Sequence, residues 1–252
     1  MIDLHNHILP GVDDGARSVE EACDMARQLV AAGVETVCTT PHAIEWSHLS
    51  GRDDVETRVF ELQMELDRRE IRLVLLSGCE ARITPTVVQD VESGLFPTLN
   101  GSRYLLLEFA YDSLPPGYDR LIFELLTRGV RPIIAHPERI APLAEDPNLL
   151  LRLVQQGCLG QLTAASIAGT FGSRTREVAE TMLEHNLIHL VASDAHGCDE
   201  RLAGIPAAQQ ACGSRARELF EDTPAAIISG RLVEPALAPV EVKKRRFLGV
   251  FG

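Results

Sequence analysis

Seven short aliphatic or β-branched runs, at 2–5, 35–39, 72–76, 104–109, 131–136, 158–163 and 188–192, recur about every thirty residues, and helical patterns fill the spaces between them. Ser18-Val19-Glu20-Glu21 has the form of a capping box. Ala22, Met25, Ala26, Leu29 and Val30 then follow at helical spacing until Gly33 stops the helix. Amphipathic stretches at 55–69, 118–128, 147–156 and 174–185 occupy later gaps, and the pattern after Ala207 is again helical. Strands that alternate with helices this long must pair in parallel, because each crossover returns the chain to the end where the previous strand began. The reading is one domain over residues 1–235, an α/β fold built as a distorted seven-stranded parallel β/α barrel of the TIM type. An open doubly wound sheet would show the same element order. Residues 236–252 form a basic and apolar C-terminal tail.

In barrels of this class the functional side chains come from the C-terminal ends of the strands. The first run ends in His5-x-His7, the second leads into Pro41-His42, the fifth ends at His136 and the seventh leads into Asp194-x-His196. Four-residue windows at the strand ends cover roughly a tenth of the chain, so about one histidine of the eight would fall there by chance; His5, His7, His42, His136 and His196 all do. Glu80 follows the third run, Glu108 lies near the end of the fourth, and Asp14 sits in the first loop within Gly11-Val12-Asp13-Asp14-Gly15. The i, i+2 spacing of His5 and His7 puts both on one face of an extended strand, where both reach one ion. Imidazole with carboxylate suits zinc, manganese or iron and needs no thiolate. His48, His185 and His189 read as loop, helix-end and strand-start residues.

Several chemistries are excluded by counting. A cysteine phosphatase needs an arginine six residues after its nucleophile, and the six cysteines lead instead to Leu29, Ile44, Pro85, Ala164, Gly204 and Glu218. Both lysines, Lys243 and Lys244, lie in the tail, which removes a carboxylated-lysine metal bridge and a Walker-type phosphate loop. The bridge must then be a carboxylate, as Glu80 offers. No C-x-x-C pair suggests a zinc knuckle or a disulfide framework. Of the net charge of −12, residues 239–252 contribute +3, from Lys243, Lys244, Arg245 and Arg246 against Glu241, leaving −15 on the body. That acidity argues against nucleic acid as a partner and suits carboxylates neutralised by cations. With no apolar run near the roughly 18 residues that span a bilayer, and no signal-peptide pattern, the expectation is a soluble cytoplasmic protein. The tail reads first as a solvated terminus. Its basic cluster before Phe247, Leu248, Val250 and Phe251 offers the alternative of an anionic membrane surface or a membrane-bound partner.

His5-Asn6-His7, Thr40-Pro41-His42, Gly78-Cys79-Glu80, Leu107-Glu108-Phe109, Ala135-His136-Pro137-Glu138-Arg139 and Ser193-Asp194-Ala195-His196 together resemble the polymerase-and-histidinol-phosphatase superfamily. Within it, residues 2–14, Pro97-Thr98-Leu99-Asn100 and Asp194-x-His196 with Arg201 resemble the bacterial tyrosine-protein phosphatases of capsule and exopolysaccharide production. The likeness runs from residue 1 to about 230. Gln161-Leu162-Thr163-Ala164 departs from the Asn-containing sixth strand of some members. The resemblance implies two or three divalent ions, manganese first and iron or zinc as alternatives. One would be held by His5, His7, Glu80 and Asp194, a second by Glu80, Glu108 and His136, and a third by Asp14, His42 and His196, with Glu80 as the bridge. Arg139 and Arg201 would bind phosphate oxygens, while the ions lower the pKa of a shared water to give an attacking hydroxide.

The expected activity is thus phosphomonoester hydrolysis. A phosphotyrosine protein is the leading substrate, with a membrane-associated tyrosine kinase of polysaccharide export as the candidate partner. Histidinol phosphate or another small metabolite is the second reading, and a non-catalytic metal-binding module of a polysaccharide assembly system the third. Trp46, Tyr111 and Tyr118 are candidate ring-stacking residues at an open mouth. A homo-oligomer is compatible with the sequence.

Overall fold

The computed structural model describes residues 1–43, 51–234 and 237–243. Trp46, His48 and the basic cluster beyond Lys243 lie outside the described residues. The chain alternates strands β1 (Ile2–Asp3), β2 (Thr36–Cys38), β3 (Val74–Leu76), β4 (Glu80–Arg82), β5 (Tyr104–Glu108), β6 (Arg131–Ala135), β7 (Leu159–Thr163) and β8 (Leu190–Ala192) with helices. The helices are α1 (Val19–Ala31), α2 (Arg52–Arg68), α3 (Val87–Glu92), α4 (Tyr118–Thr127), α5 (Ala141–Glu145), α6 (Asn148–Gln156), α7 (Ala164–Ala168), α8 (Ser173–Glu184), α9 (Glu200–Cys212) and α10 (Thr223–Ile228). Every strand pairing is parallel, in the orders β1-β2-β3 and β4-β5-β6-β7-β8.

Among the described residues, eight strand segments in two sheets stand where seven strands in one barrel are expected. The third run, 72–76, ends as β3, and a further segment, β4, follows it across Ser77-Gly78-Cys79, for a packing reason. Gly78 is pressed so close to its neighbours that a Cβ there would lie 2.9 Å from both Cys38 Sγ and Leu99 Cδ2. The Ser77 carbonyl accepts the Asn100 N–H at 2.7 Å instead of a ladder partner. Beyond the break, Glu80 N–H reaches Pro41 O and Ala43 N–H reaches Glu80 O, so the segment after β2 pairs with β4. At the other edge, His7 N–H bonds Ala195 O and Asp194 N–H bonds His5 O, both at 2.9 Å. A buried knot backs this second joint: the Asp3 carboxylate accepts Ser193 Oγ–H at 2.5 Å, Ser193 N–H at 2.9 Å and Asn6 Nδ2–H at 3.0 Å.

Helix α1 forms as its capping box predicts, the Ser18 hydroxyl accepting the Glu21 N–H. It buries Ala22, Met25, Ala26 and Leu29, where a single leucine gains about 1.5–3 kcal/mol. The strands bury both faces, as parallel strands under helices do. Along β5, Leu105 and Leu107 pack outward against the helix layer, while Tyr104 and Leu106 join an inner cluster with Leu4, Cys38, Ile133, Leu159 and Leu190. The two-residue period then brings Glu108 to the inner side at the C-terminal end of the strand. At the opposite end Tyr104 Oη donates to Arg231 O and accepts from Val233 N–H, both at 2.9 Å, which fixes the segment after α10 as a floor.

The start of the tail, up to Lys243, is held to the rest of the chain, whereas the basic and apolar cluster on which the solvated-terminus and membrane readings turn lies outside the described residues. Val242 exchanges two hydrogen bonds with the Asn148 side chain, Ala238 O accepts from Asn186, and Val240 N–H bonds His185 O. Residues 237–243 are therefore tied along α6 and the end of α8. Among the described residues no helix is long and apolar enough to cross a membrane.

Candidate metal centre

All nine residues singled out as ligands converge at the C-terminal ends of the strands. Glu80 is the hub: its Oε2 lies 3.1 Å from His42 Nδ1, 3.2 Å from His5 Nε2 and 3.4 Å from His7 Nε2, and its Oε1 lies 3.0 Å from His136 Nε2. Asp194 Oδ1 stands 3.3 Å from His5 Nε2 and 3.6 Å from His196 Nδ1. Asp14, the most exposed member, is 3.4 Å from His196 Nε2 and 3.6 Å from His42 Nε2. Glu108 is 3.8 Å from His136 Nε2 and 4.0 Å from His42 Nδ1.

The donor set fits divalent ions on internal evidence. Two ligands each about 2.1 Å from one ion, at tetrahedral or octahedral angles, stand about 3.0–3.4 Å apart, the spacing seen around Glu80. Its Oε2 is fully buried and makes no hydrogen bond to the imidazoles that crowd it. The histidine tautomers point the same way. Gln161 donates its amide N–H to Leu162 O, so its Oε1 is the acceptor that faces His5 Nδ1 at 2.9 Å. His7 Nδ1 likewise donates to Asp13 Oδ2 at 2.8 Å. With both Nδ1 atoms protonated, the neutral rings present their Nε2 lone pairs to each other at 3.1 Å, an arrangement that a cation between them stabilises.

The proton affinities follow from this crowding. Burial pushes the Glu80 carboxyl up, but His5 and His136 outweigh it and hold it well below the usual carboxylate range. Burial raises Asp194 too, and His5, His136, Arg201 and His196 reverse the shift, so it also ends lowered. Burial and then His7 bring His196 down to about 3, leaving it a neutral ring. Asp13, raised by burial, is held at about 2 by His7 and by the N–H groups of Gly15 and His42. His7 is raised well above 6.5 because Asp13 and Glu80 overcome its desolvation. These are ionised carboxylates around His7, which takes up a proton where no metal compensates the charge, and His196, which stays neutral.

Backbone geometry brings the ligands inward. His136 and Asp194 adopt left-handed conformations, with φ of 33° and 53°, at the ends of β6 and β8. Such residues cost on the order of 1–3 kcal/mol and cluster at functional sites. Gly15 makes room for His7: a Cβ there would lie 2.0 Å from His7 O.

Both predicted arginines reach this centre. Arg139, on the turn Pro137–Arg139, places Nη1 2.5 Å from Asp194 Oδ2. Arg201, in the first turn of α9, is 3.3 Å from the same oxygen and 2.5 Å from His196 Nδ1. The sets of atoms close enough to share an ion are His5, His7 and Glu80; His42, Glu80 and Glu108; and His7, Asp14, His42 and His196. This grouping brings His42 to the Glu80–Glu108 pair and His7 to the Asp14 group, and it leaves out His136 and Asp194, which touch the centre through Glu80 and His5. Sequence reasoning assigned Asp13 no role and marked Gln161 only as a departure from the sixth strand of some superfamily members, whereas they orient His7 and His5. Their one signal was position, Asp13 beside Asp14 and Gln161 inside a strand. Of the candidate stacking residues, Tyr118 packs edge-on against Phe109 at 5.6 Å and Tyr111 stacks on His136 at 5.5 Å, so both rings serve the protein's own packing. His185 caps α8 and His189 accepts the Gly160 N–H, as their placement outside the site suggests.

Comparison with known proteins agrees with the geometry. The chain is 34% identical to tyrosine-protein phosphatase YwqE of Bacillus subtilis (strain 168) over 257 residues, all of both chains. It is 37% identical to the putative tyrosine-protein phosphatase CapC of Staphylococcus aureus over 201 residues, 80% of this chain and 79% of that one. A crystal structure from the study of YwqE and of CpsB from Streptococcus pneumoniae, described as unique metal-dependent tyrosine phosphatases, superposes with a TM-score of 0.90 at 33% identity. It covers 97% of this chain and 100% of that one. Residues 1–229 match the family described as capsular polysaccharide synthesis, CpsB/CapC, and the chain belongs to that family.

Proposed function

We propose that this protein is a metal-dependent protein-tyrosine phosphatase of a capsule or exopolysaccharide system. Two or three divalent ions would be held by His5, His7, Asp14, His42, Glu80, Glu108, His136, Asp194 and His196. The single observation that carries the metal reading is the buried Glu80 Oε2, which makes no hydrogen bond amid three imidazole nitrogens at 3.1–3.4 Å. The substrate class comes from the names of relatives that share the whole chain. We read the two sheets as one distorted seven-stranded barrel whose third strand is the β3–β4 segment, with residues 1–235 as its domain. Imidazole and carboxylate donors without thiolate suit manganese, with iron or zinc as alternatives.

When bound, close-set divalent ions supply Lewis acidity and a water of lowered pKa. The chain's own residues do the rest. Gln161 and Asp13 fix the tautomers that turn His5 and His7 toward Glu80. Arg139 and Arg201 present guanidinium forks suited to phosphoryl oxygens, and Asp194 holds them at the centre's edge. A phenolate, with a pKa of about 10, leaves more readily than an alkoxide, so an aryl ester asks less of an acid catalyst. No thiol takes part: burial drives Cys38 and Cys158 up to about 12 and Cys79 well above 9. Phosphate release from a phosphotyrosine peptide should stop on chelation, return with manganese and survive iodoacetamide. Turnover that persists after chelation overturns the proposal.

A further inference from the structure

Five planar groups form a continuous column beside the centre. The His136 ring stacks on Tyr111 at 5.5 Å. Tyr111 faces the Arg139 guanidinium at 5.0 Å, Arg139 lies 4.7 Å from the Phe171 ring, and Arg201 is 5.8 Å from the same ring. Among the described residues, Phe171 is thus the one side chain whose ring meets both guanidiniums. It stands on the turn between α7 and α8, where no metal ligand lies.

That turn is anchored from beneath by the neighbour of Arg139. Glu138 is buried, and its Oε1 accepts the Ser166 hydroxyl at 2.6 Å and the Thr163 N–H at 3.1 Å, pinning the start of α7 to the turn Pro137–Arg139. Hydrogen bonds from Gly169 N–H to Ser166 O, Thr170 N–H to Ala165 O and Gly172 N–H to Gly169 O then close the loop carrying Phe171. Gly169 and Gly172 both have positive φ, at 88° and 92°, which lets the chain reverse there. Glu138 and Arg139, adjacent in sequence, therefore grip one loop twice, through hydrogen bonds below and through a ring face above.

We infer that Phe171 is a positioning residue for the phosphate-binding arginines, its ring holding Arg139 against Tyr111 and setting the place of Arg201. The inference rests on the reading of Arg139 and Arg201 as phosphate binders. An arginine side chain carries much rotamer freedom, and a guanidinium held flat between rings loses less on binding an oxyanion. The ring's π face stabilises the cations, which an aliphatic side chain of similar volume does not.

The test uses full-length, manganese-loaded protein and inorganic phosphate as a competitive inhibitor of aryl phosphate hydrolysis. Phe171→Leu, with Phe171→Met as a second variant should the first not fold, is expected to raise the phosphate inhibition constant and KM about tenfold. That lies within the range a guanidinium over a ring supplies. kcat should change less than threefold, with metal content and Tm kept. Phe171→Tyr should return both constants to within twofold of the starting protein. Unchanged constants in the aliphatic variants, equal impairment in Phe171→Tyr, or loss of metal from a folded variant would each overturn the inference. Arg139→Ala and Arg201→Ala separate it from the reading beneath it. If neither weakens phosphate inhibition, the phosphate role of the arginines fails; if they do and Phe171→Leu does not, only the role of Phe171 fails.

Discussion

Glu80 faces four imidazoles through two oxygens, so it is the residue whose loss should cost the most. Glu80→Gln keeps the volume and removes the charge. It is expected to release more than one equivalent of metal and to lower turnover by a hundredfold or more, since even outer partners of ligands cost about 10–100-fold. Elemental analysis of the folded variant with a rate assay checks both, and unchanged metal content would remove its bridging role. His189 sits far from this chemistry and offers a pH signature of its own. Burial, with Arg131 and Arg215 nearby, lowers it to about 4, and it accepts the Gly160 N–H as a neutral ring. A depressed folded pKa gives stability that is full above the ordinary 6.5 and lost as pH falls toward 4. Asparagine accepts the same bond without titrating, so the unfolding free energies of His189→Asn and the parent should draw closer by about 2 kcal/mol between pH 8 and pH 5. Urea denaturation at the two pH values measures it, and a constant gap would contradict the assignment. The convergence of the candidate ligands was legible in sequence because strand-end placement and the His-x-His period follow from local geometry. Asp13, Gln161 and Phe171 were not, since each acts on a side chain that only folding brings near.

Elements were legible where one periodicity ruled, as in α1, and illegible where a tertiary contact overrode it. The run at 72–76 forms β3, but the further segment β4 was not legible, because Gly78 wedged against Cys38 and Leu99 redirects the chain and lets Glu80 pair beside His42. The anchoring of residues 237–243 was not legible because its partners, Asn148 on α6 and Asn186 in the turn after α8, are distant in sequence. Deleting residues 237–252 should therefore lower stability by about 1–2 kcal/mol, a few degrees in Tm for a chain of this size. An unchanged melting curve would show the docking to be inconsequential. In the first loop, Gly15→Ala drives a methyl into the His7 carbonyl. Displacement of His7 should cost metal and activity, so a fully active, metal-replete Gly15→Ala would refute that close approach.

Across the whole molecule, an acidic chain gathers Asp13, Asp14, Glu80, Glu108 and Asp194 at one end of its strands. The ions that offset them should also stabilise the fold: at a thousandfold excess over the dissociation constant, one bound ligand adds about 4 kcal/mol. Chelation is thus expected to lower Tm by about ten degrees, reversibly on adding manganese. The central claim, a metal-dependent phosphatase for phosphotyrosine, is tested most directly by comparing kcat/KM of the manganese-loaded protein for a phosphotyrosine peptide and for histidinol phosphate. The account predicts the peptide to be the better substrate. A tenfold preference for histidinol phosphate, about 1.4 kcal/mol of transition-state binding, would contradict it and make this a metabolite phosphatase.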